Sequence, residues 1–296
     1  MLLYNARMLR RALLFTPALA FAQAPPVVVA SFSILGDLAQ QVLGPAATLN
    51  VMAGPDVDAH HFQARPSHIA MLRGAAMAIR NGWGFDGWFN RAAQAANFAG
   101  VMVTATDGLP PRPAPRGPGT HNHGANDPHA WQDVTAARHY LRQIAAGAAR
   151  LNLPGAAERA VAADARLAAL DGWVREQIAT VPEARRVVLT SHDAFGYFGA
   201  AYGVRFLAPQ GVSTQAEPSA QAVAALIRQV RAQNITAVFI ENMTNPATLN
   251  RLAQEAGVSV RGRLYADALS MPGGPAPDYE AMMRHNVSLM VAAMRG

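Results

Sequence analysis

The stretch "VVVASFSILGDLAQQVLG", residues 27–44, decides the fold of this chain. It begins with a β-branched run, which favours a strand, and it continues with apolar residues at helical spacing. Ile34, Leu35, Leu38 and Val42 fall on one face of that helix. The stretch therefore predicts a strand, a turn and a helix in succession, which is the repeating unit of an α/β protein.

The same alternation continues along the first half of the chain. Pro66 opens a predicted helix over 66–75. Short β-branched or apolar runs predict further strands over 48–54, 77–82 and 101–106. Strands that alternate with helices indicate a parallel sheet with crossover helices.

A long helix and a second alternating region follow. An Ala-rich stretch with helical spacing runs from Pro154 to about Thr180, long enough to connect two domains. Strands and helices alternate again after Pro182. We therefore expect an α/β fold of two lobes of parallel sheet joined by one long rigid helix. The expected boundaries are a first lobe over 25–150, a connecting helix over 151–182 and a second lobe over 183–296.

The loop over 107–128 is dense in proline and glycine and is long for a compact domain. It carries His121 and His123 in the sequence "THNH". Two interpretations stay open: a zinc-collecting loop that feeds a buried site, or a Pro/Gly loop with incidental histidines.

The N-terminus predicts an export signal over 1–24. From Met8 the sequence has basic residues, a short apolar run and then Ala22-Gln23-Ala24, which is typical of a cleavage site. The apolar run is shorter than the ~20 residues that span a bilayer. Met1 and Met8 both remain candidates for the start. We expect a periplasmic protein exported by a cleavable signal.

Composition excludes several classes of site. The chain contains no cysteine, so disulfides, thiolate metal sites and a lipid-modified cysteine anchor are not expected. The formal net charge is +6, and every basic residue is arginine. These arginines are scattered and form no stripe interleaved with aromatic residues, so we do not expect nucleic-acid binding.

Four potential metal ligands follow strands or lie in loops of the two lobes. They are His60, His129, His192 and Asp267. Ligands of open α/β sheets bind outside the carboxyl ends of the strands, so these side chains, two from each lobe, are expected to converge on one edge. Three imidazoles and one carboxylate suit tetrahedral Zn²⁺. The alternative is that each histidine is a helix-cap neighbour or surface residue and Asp267 a turn acid.

Glu241, at the end of "AVFIEN", is expected near the same edge. It is a candidate acceptor for the second ring N–H of a ligand histidine, because metal-bound histidines usually donate that hydrogen. A metal-dependent hydrolase would instead need an open coordination position and a base, a role that Glu241 could take only if Asp267 were not bound.

Four segments resemble a known family in the same order along the chain. They are "GPDVDAHHFQARPSH" (54–68), "NDPHAWQDV" (126–134), "TSHDAFGYFGAAYGV" (190–204) and "RLYADALS" (263–270). These resemble the TroA/ZnuA-like, cluster A-I metal-binding proteins of ABC transporters over nearly all of 27–296. In detail the pattern is most similar to the AztC-type periplasmic zinc-binding proteins.

The resemblance implies two lobes, a rigid linking helix and a metal ion held between them. Carried over by position, His60, His129, His192 and Asp267 match the family's ligands. The implied function is capture of Zn²⁺ and delivery to an ABC permease without any catalysis. The implied partners also include a periplasmic zinc chaperone, and the protein is expected to be a monomer. Manganese is the alternative ion, although manganese-selective members commonly carry Glu where His192 stands.

The chain departs from the family pattern around the first histidine. Ala59 and Ala64 replace prolines, and His68 replaces an aspartate. These changes should loosen the loop and could let His61 compete with His60 as the ligand.

Overall fold

The computed structural model describes residues 24–114, 126–214 and 219–296. The predicted leader, apart from Ala24, and the histidines His121 and His123 therefore lie outside the described residues. No helix in the described part of the chain has both the length and the hydrophobicity needed to cross a bilayer.

The first lobe is built on a four-stranded parallel sheet in the order β2-β1-β3-β4. Its central strand, β1, has a neighbour on both sides, since Val28 pairs with Leu49 and with Met77, and all of its residues except Val27 are buried. The elements are β1 (Val27–Phe32), α1 (Ser33–Leu43), β2 (Thr48–Ala53), α2 (Pro66–Arg73), β3 (Met77–Arg80), α3 (Gly87–Ala95), β4 (Val101–Thr104) and α4 (Val134–Arg150).

The second lobe has two parallel strand pairs, β5-β6 and β7-β8, joined through a bridge between Leu189 and Val238. The last strand of this lobe has only two residues and directly follows Gly262, whose φ is 152°. The elements are β5 (Val187–Leu189), α6 (Gly196–Tyr202), β6 (Arg205–Leu207), α7 (Ala220–Ala232), β7 (Ile240–Glu241), α8 (Ala247–Ala256), β8 (Arg263–Leu264) and α9 (Tyr279–Arg295).

Helix α5 (Ala156–Ala179) connects the lobes. Its buried side chains recur every three or four residues, at Leu167, Leu170, Val174 and Ile178. It packs against α1 and α4 of the first lobe and against α9 of the second. At 1.5 Å per residue it is about 36 Å long. Because one helix is packed into both lobes, it resists bending between them.

The predicted fold class, α/β with two lobes and a long connecting helix, is confirmed. The numerical domain boundaries stay a prediction. The consequence for function is that the carboxyl ends of β2, β5 and β8 and the segment before α4 all face one region between the lobes.

Candidate metal centre

Four side chains from four separate segments meet between the lobes. One potential ligand atom from each of His60, His129, His192 and Asp267 lies within 4.8 Å of the other three. His60 Nε2 is 3.3 Å from His129 Nε2 and 3.2 Å from Asp267 Oδ2. His192 Nε2 is 3.1 Å from Asp267 Oδ2. A tetrahedral zinc site with bonds of about 2.0–2.1 Å has ligand–ligand edges of about 3.3 Å, so these spacings fit one ion.

The centre is closed to solvent, and several of its buried polar atoms make no hydrogen bond within the described part of the chain. The side chains of His129, His192 and Asp267 are fully buried, and that of His60 is 5% exposed. Among the described residues, His192 Nε2 and both oxygens of Asp267 make no contact with hydrogen-bond geometry. Buried polar atoms are rarely left in this state, because each costs free energy. A cation bound between them would satisfy all three.

Each fully buried histidine has its own carboxylate partner. His129 Nδ1 lies 2.8 Å from Asp127 Oδ1. His192 Nδ1 contacts Glu241 Oε2. A carboxylate acceptor requires the ring hydrogen on Nδ1, which leaves the lone pair on Nε2, the atom that faces the centre. Both imidazoles are therefore oriented for metal binding before a metal arrives.

Glu241 lies where the sequence predicted, at the end of β7, and it holds more than a ring. Its Oε1 accepts hydrogen bonds from the backbone N–H groups of Ser191 (2.9 Å) and His192 (3.0 Å). The carboxylate therefore fixes both the backbone and the side chain of the ligand segment that follows β5.

Asp127 has a role that was not predicted from the sequence. Besides the ring, it accepts a 3.0 Å hydrogen bond from the backbone N–H of His129. The signal available in the sequence was its position two residues before the histidine, a spacing at which Asp side chains bond local backbone.

Buried polar side chains of the first lobe position the His129 segment. Asn81, just after β3, donates from Nδ2 to the carbonyl of Pro128 (2.9 Å). Tyr140 of α4 donates its hydroxyl hydrogen to Asn81 Oδ1 (2.6 Å). The segment that carries His129 is therefore fixed to both the sheet and a helix.

The Asp267 segment is attached to the first lobe. The carbonyl of Ala266 accepts from Trp131 Nε1 (2.9 Å) and from Gln132 Nε2 (2.8 Å). Trp131 is fully buried. The second-lobe carboxylate and the first-lobe histidine are thus held in one hydrogen-bonded unit.

His60 is held less firmly, in a loop that has no regular secondary structure. Trp88 donates from Nε1 to the carbonyl of Ala59 (2.7 Å), and Asp58 Oδ1 accepts from the backbone N–H of His60 (2.8 Å). His61 is outside the group of four, and its side chain is 44% exposed. The expected competition between His61 and His60 is therefore absent from this arrangement.

Burial and neighbouring charges shift the pKa values of the side chains in the centre. Burial lowers the pKa of His60, and the contact with Asp267 only partly offsets this. Burial also acts to lower the pKa of His192, but the carboxylates of Glu241 and Asp267 outweigh it and raise that pKa well above its usual value. Burial acts to raise the pKa of Asp267, but His129 and His192 hold it well below its usual value. In the absence of a metal these shifts favour the protonated form of His192 and the ionised form of Asp267.

Comparison with known proteins places this geometry in a family. Residues 28–293 match the family model described as "ZnuA: Zinc-uptake complex component A periplasmic". The zinc-binding protein TroA of Treponema pallidum is 28% identical over 284 residues, which cover 93% of this chain and 91% of TroA. The solved structure of TroA superimposes with a TM-score of 0.84 at 27% identity, covering 92% of this chain and all of that one.

Other relatives are named for different metals. The manganese-binding lipoprotein MntA of Halalkalibacterium halodurans is 28% identical, covering 90% of this chain and 88% of MntA. The iron-binding protein YfeA of Yersinia pestis is 30% identical, covering 88% of this chain and 83% of YfeA. The family is thus one of metal-binding proteins of ABC transporters, not of enzymes, and its members differ in the ion they are named for.

The expected localisation is contradicted by these relatives. MntA of H. halodurans is named a lipoprotein, as are further relatives, which indicates lipid-anchored proteins associated with a membrane. The expectation of a periplasmic protein exported without a lipid anchor is therefore wrong. The sequence itself contains no cysteine, which is a fact about this chain and does not restore that expectation.

The match over 28–293 and the shared fold lead to one conclusion: this chain belongs to the ZnuA/TroA family of metal-binding substrate-binding proteins of ABC transporters.

Proposed function

We propose that this protein captures Zn²⁺ with His60, His129, His192 and Asp267 and delivers it to an ABC permease. The observation that carries the proposal is the meeting of three imidazoles and one carboxylate at tetrahedral spacing in a closed, buried centre. No bond is made or broken in this function. The protein supplies only selective binding and release.

The choice of zinc rests on the ligand chemistry. Zinc accepts four ligands readily, whereas manganese prefers more oxygen donors and a higher coordination number. A third imidazole at His192, in place of a carboxylate, favours the softer ion. An AztC-type zinc protein is the subclass that we propose. Manganese is the second candidate, favoured by the 28% identity to manganese-binding MntA.

Hydrolysis is disfavoured because four protein ligands leave no coordination position of zinc for a water molecule. A hydrolytic zinc site keeps one position for water and a general base beside it. Here four side chains would occupy the four coordination positions of the ion. The carboxylate of Glu241 contacts the ring of His192 and accepts hydrogen bonds from two backbone N–H groups. No side chain of the proposed centre is left to activate water.

Release is proposed to involve the loop that carries His60. The helix α5 packs into both lobes, so a local movement of that loop costs less than a hinge motion. The roles of His121 and His123 as zinc collectors, the zinc chaperone and the monomeric state stay predictions. The domain boundaries 25–150, 151–182 and 183–296 are likewise proposed.

Metal titration followed by native mass spectrometry tests the proposal. Zinc and manganese are offered together at equal concentration, and one tightly bound Zn²⁺ is expected. His129→Ala should abolish tight binding. His139→Ala is the matched control, since this histidine lies on α4 and its ring nitrogen contacts the carbonyl of Asp107. Exclusive manganese binding would overturn the zinc assignment, and a tight ion in His129→Ala would overturn the site.

A further inference from the structure

A small cavity lies beside the segments that carry His60 and His192, since its lining includes their chain neighbours His61 and Ser191. It has a volume of about 210 Å³, and its lining includes Asp58, His61, Ser191, Gln210 and Thr214. We refer to this cavity as the vestibule. A water molecule takes up about 30 Å³ in the liquid, so the vestibule has room for an ion with part of its hydration shell. It touches both lobes, since Asp58 and His61 come from the first and the other three residues from the second.

Two metal-binding side chains face each other in the vestibule. His61 Nε2 lies 3.8 Å from Asp58 Oδ2. Two metal–ligand bonds of about 2.1 Å can span up to about 4.2 Å, so one zinc ion can contact both atoms without movement of the backbone. The side chain of His61 is 44% exposed and that of Asp58 20% exposed, which leaves the pair open to an incoming ion.

Asp58 is held in place from both lobes. Its Oδ2 accepts a 2.8 Å hydrogen bond from the hydroxyl of Thr214, and its Oδ1 accepts one of 2.8 Å from the backbone N–H of His60. The carboxylate is therefore oriented before an ion binds. The same carboxylate also joins the vestibule to the loop that carries a ligand of the buried centre.

A buried polar atom lines the vestibule without a partner. The hydroxyl of Ser191 has no hydrogen-bond partner among the described residues, and Ser191 is only 5% exposed. Ser191 directly precedes His192. Since buried hydroxyls are nearly always bonded, an ordered group in the vestibule is indicated, and a metal-bound water would supply it.

We propose that the vestibule binds a second, partly hydrated divalent metal ion through His61 and Asp58, with the Ser191 hydroxyl bonded to one of the ion's waters. The inference rests on the proposed function, because it assigns this ion to a cavity beside the segments that carry His60 and His192. The vestibule offers two protein ligands, whereas the centre offers four. The vestibule should therefore bind zinc at least about a hundredfold more weakly than the centre does.

The test first removes His121 and His123, which are a competing source of weak zinc binding. In a His121→Ala/His123→Ala background, zinc titration by native mass spectrometry and calorimetry should give one tight and one weak ion. Adding His61→Ala should abolish the weak ion and keep the tight one. His285→Ala is the control, a histidine on α9 whose ring nitrogen contacts the carbonyl of Arg263. It should keep both ions.

The outcomes separate the two claims. A weak ion that persists in His61→Ala, or a background that binds only one zinc, would overturn the vestibule site and leave the proposed function intact. Absence of the tight ion from the background would overturn the proposed function itself. The tight ion retained in His61→Ala also serves as the check that this variant is folded.

Discussion

Gly196→Ala should weaken metal binding although Gly196 touches no metal ligand. An added Cβ would lie well inside 3.0 Å of Asp127 Oδ2, and 3.2 Å from Arg112 Nε. The backbone of Gly196 is not in the left-handed region, so alanine is conformationally allowed there. The substitution therefore acts on the Asp127 carboxylate and, through it, on His129.

The magnitude follows from the contact. To restore van der Waals separation the carboxylate must move by roughly 1 Å. Its bond to His129 Nδ1 is now 2.8 Å, and beyond about 3.5 Å no hydrogen bond remains. Loss of such a partner costs about 10–100-fold in metal affinity, or about 1.4–2.7 kcal/mol. We expect a weakening in this range.

The assay is zinc titration against a competing chelator, with a thermal melt of the metal-free protein to check folding. Gly172→Ala is the matched control, because a Cβ added there, within α5, has nothing within 4 Å. In addition, Asp127→Asn and Gly196→Ala should be non-additive, since both act on one interaction. Wild-type affinity in a folded Gly196→Ala protein, or full additivity, would refute the reasoning.

Three further results are expected. Since Glu241 and Asp267 raise the pKa of His192 against the effect of burial, protonation of His192 is favoured in the metal-free site, and zinc binding is expected to displace that proton. The affinity for zinc should therefore rise with pH up to the raised pKa of His192, and about one proton should be released at pH 7. Calorimetry in buffers of different ionisation enthalpy measures this release. Zinc binding that is independent of pH would contradict the prediction. Glu241→Gln should reduce the proton release and weaken the affinity for zinc about 10–100-fold, as measured by the same titration. Unchanged values would show that the contact between Glu241 and His192 does not affect zinc binding. Trp131→Phe should lower the free energy of unfolding by about 0.5–1.5 kcal/mol, because it removes a hydrogen bond to the carbonyl of Ala266. Denaturant unfolding of the metal-free protein measures this change. An unchanged midpoint would contradict the prediction.

Local patterns in the sequence were sufficient for the fold class. Strands such as β1 and β2 and the helix α5 are long enough for their periodicity to be read directly. Asp133 caps α4, since its side chain accepts a hydrogen bond from the backbone N–H of Thr135 at 2.8 Å. Helix α3 was not predicted, because it starts at Gly87 after a Gly-rich turn and its N-terminal residue makes no side-chain cap.

The network around the site could not be read from local patterns. The bond from Asn81 to Pro128 joins residues 47 apart in sequence, and the bond from Trp131 to Ala266 joins residues 135 apart. Such contacts depend on how the lobes pack, which no periodicity encodes. The candidate ligands could be predicted because they follow predicted strands or lie in loops and because the family motifs occur in order.

Anomalous diffraction at the zinc edge from crystals of the zinc-loaded protein tests the central claim most directly. We expect one strong peak about 2.0–2.2 Å from Nε2 of His60, His129 and His192 and from one carboxylate oxygen of Asp267. A weaker peak between His61 and Asp58 would agree with the vestibule site. A strong peak elsewhere, or one that lacks any of the three imidazoles, would contradict the account.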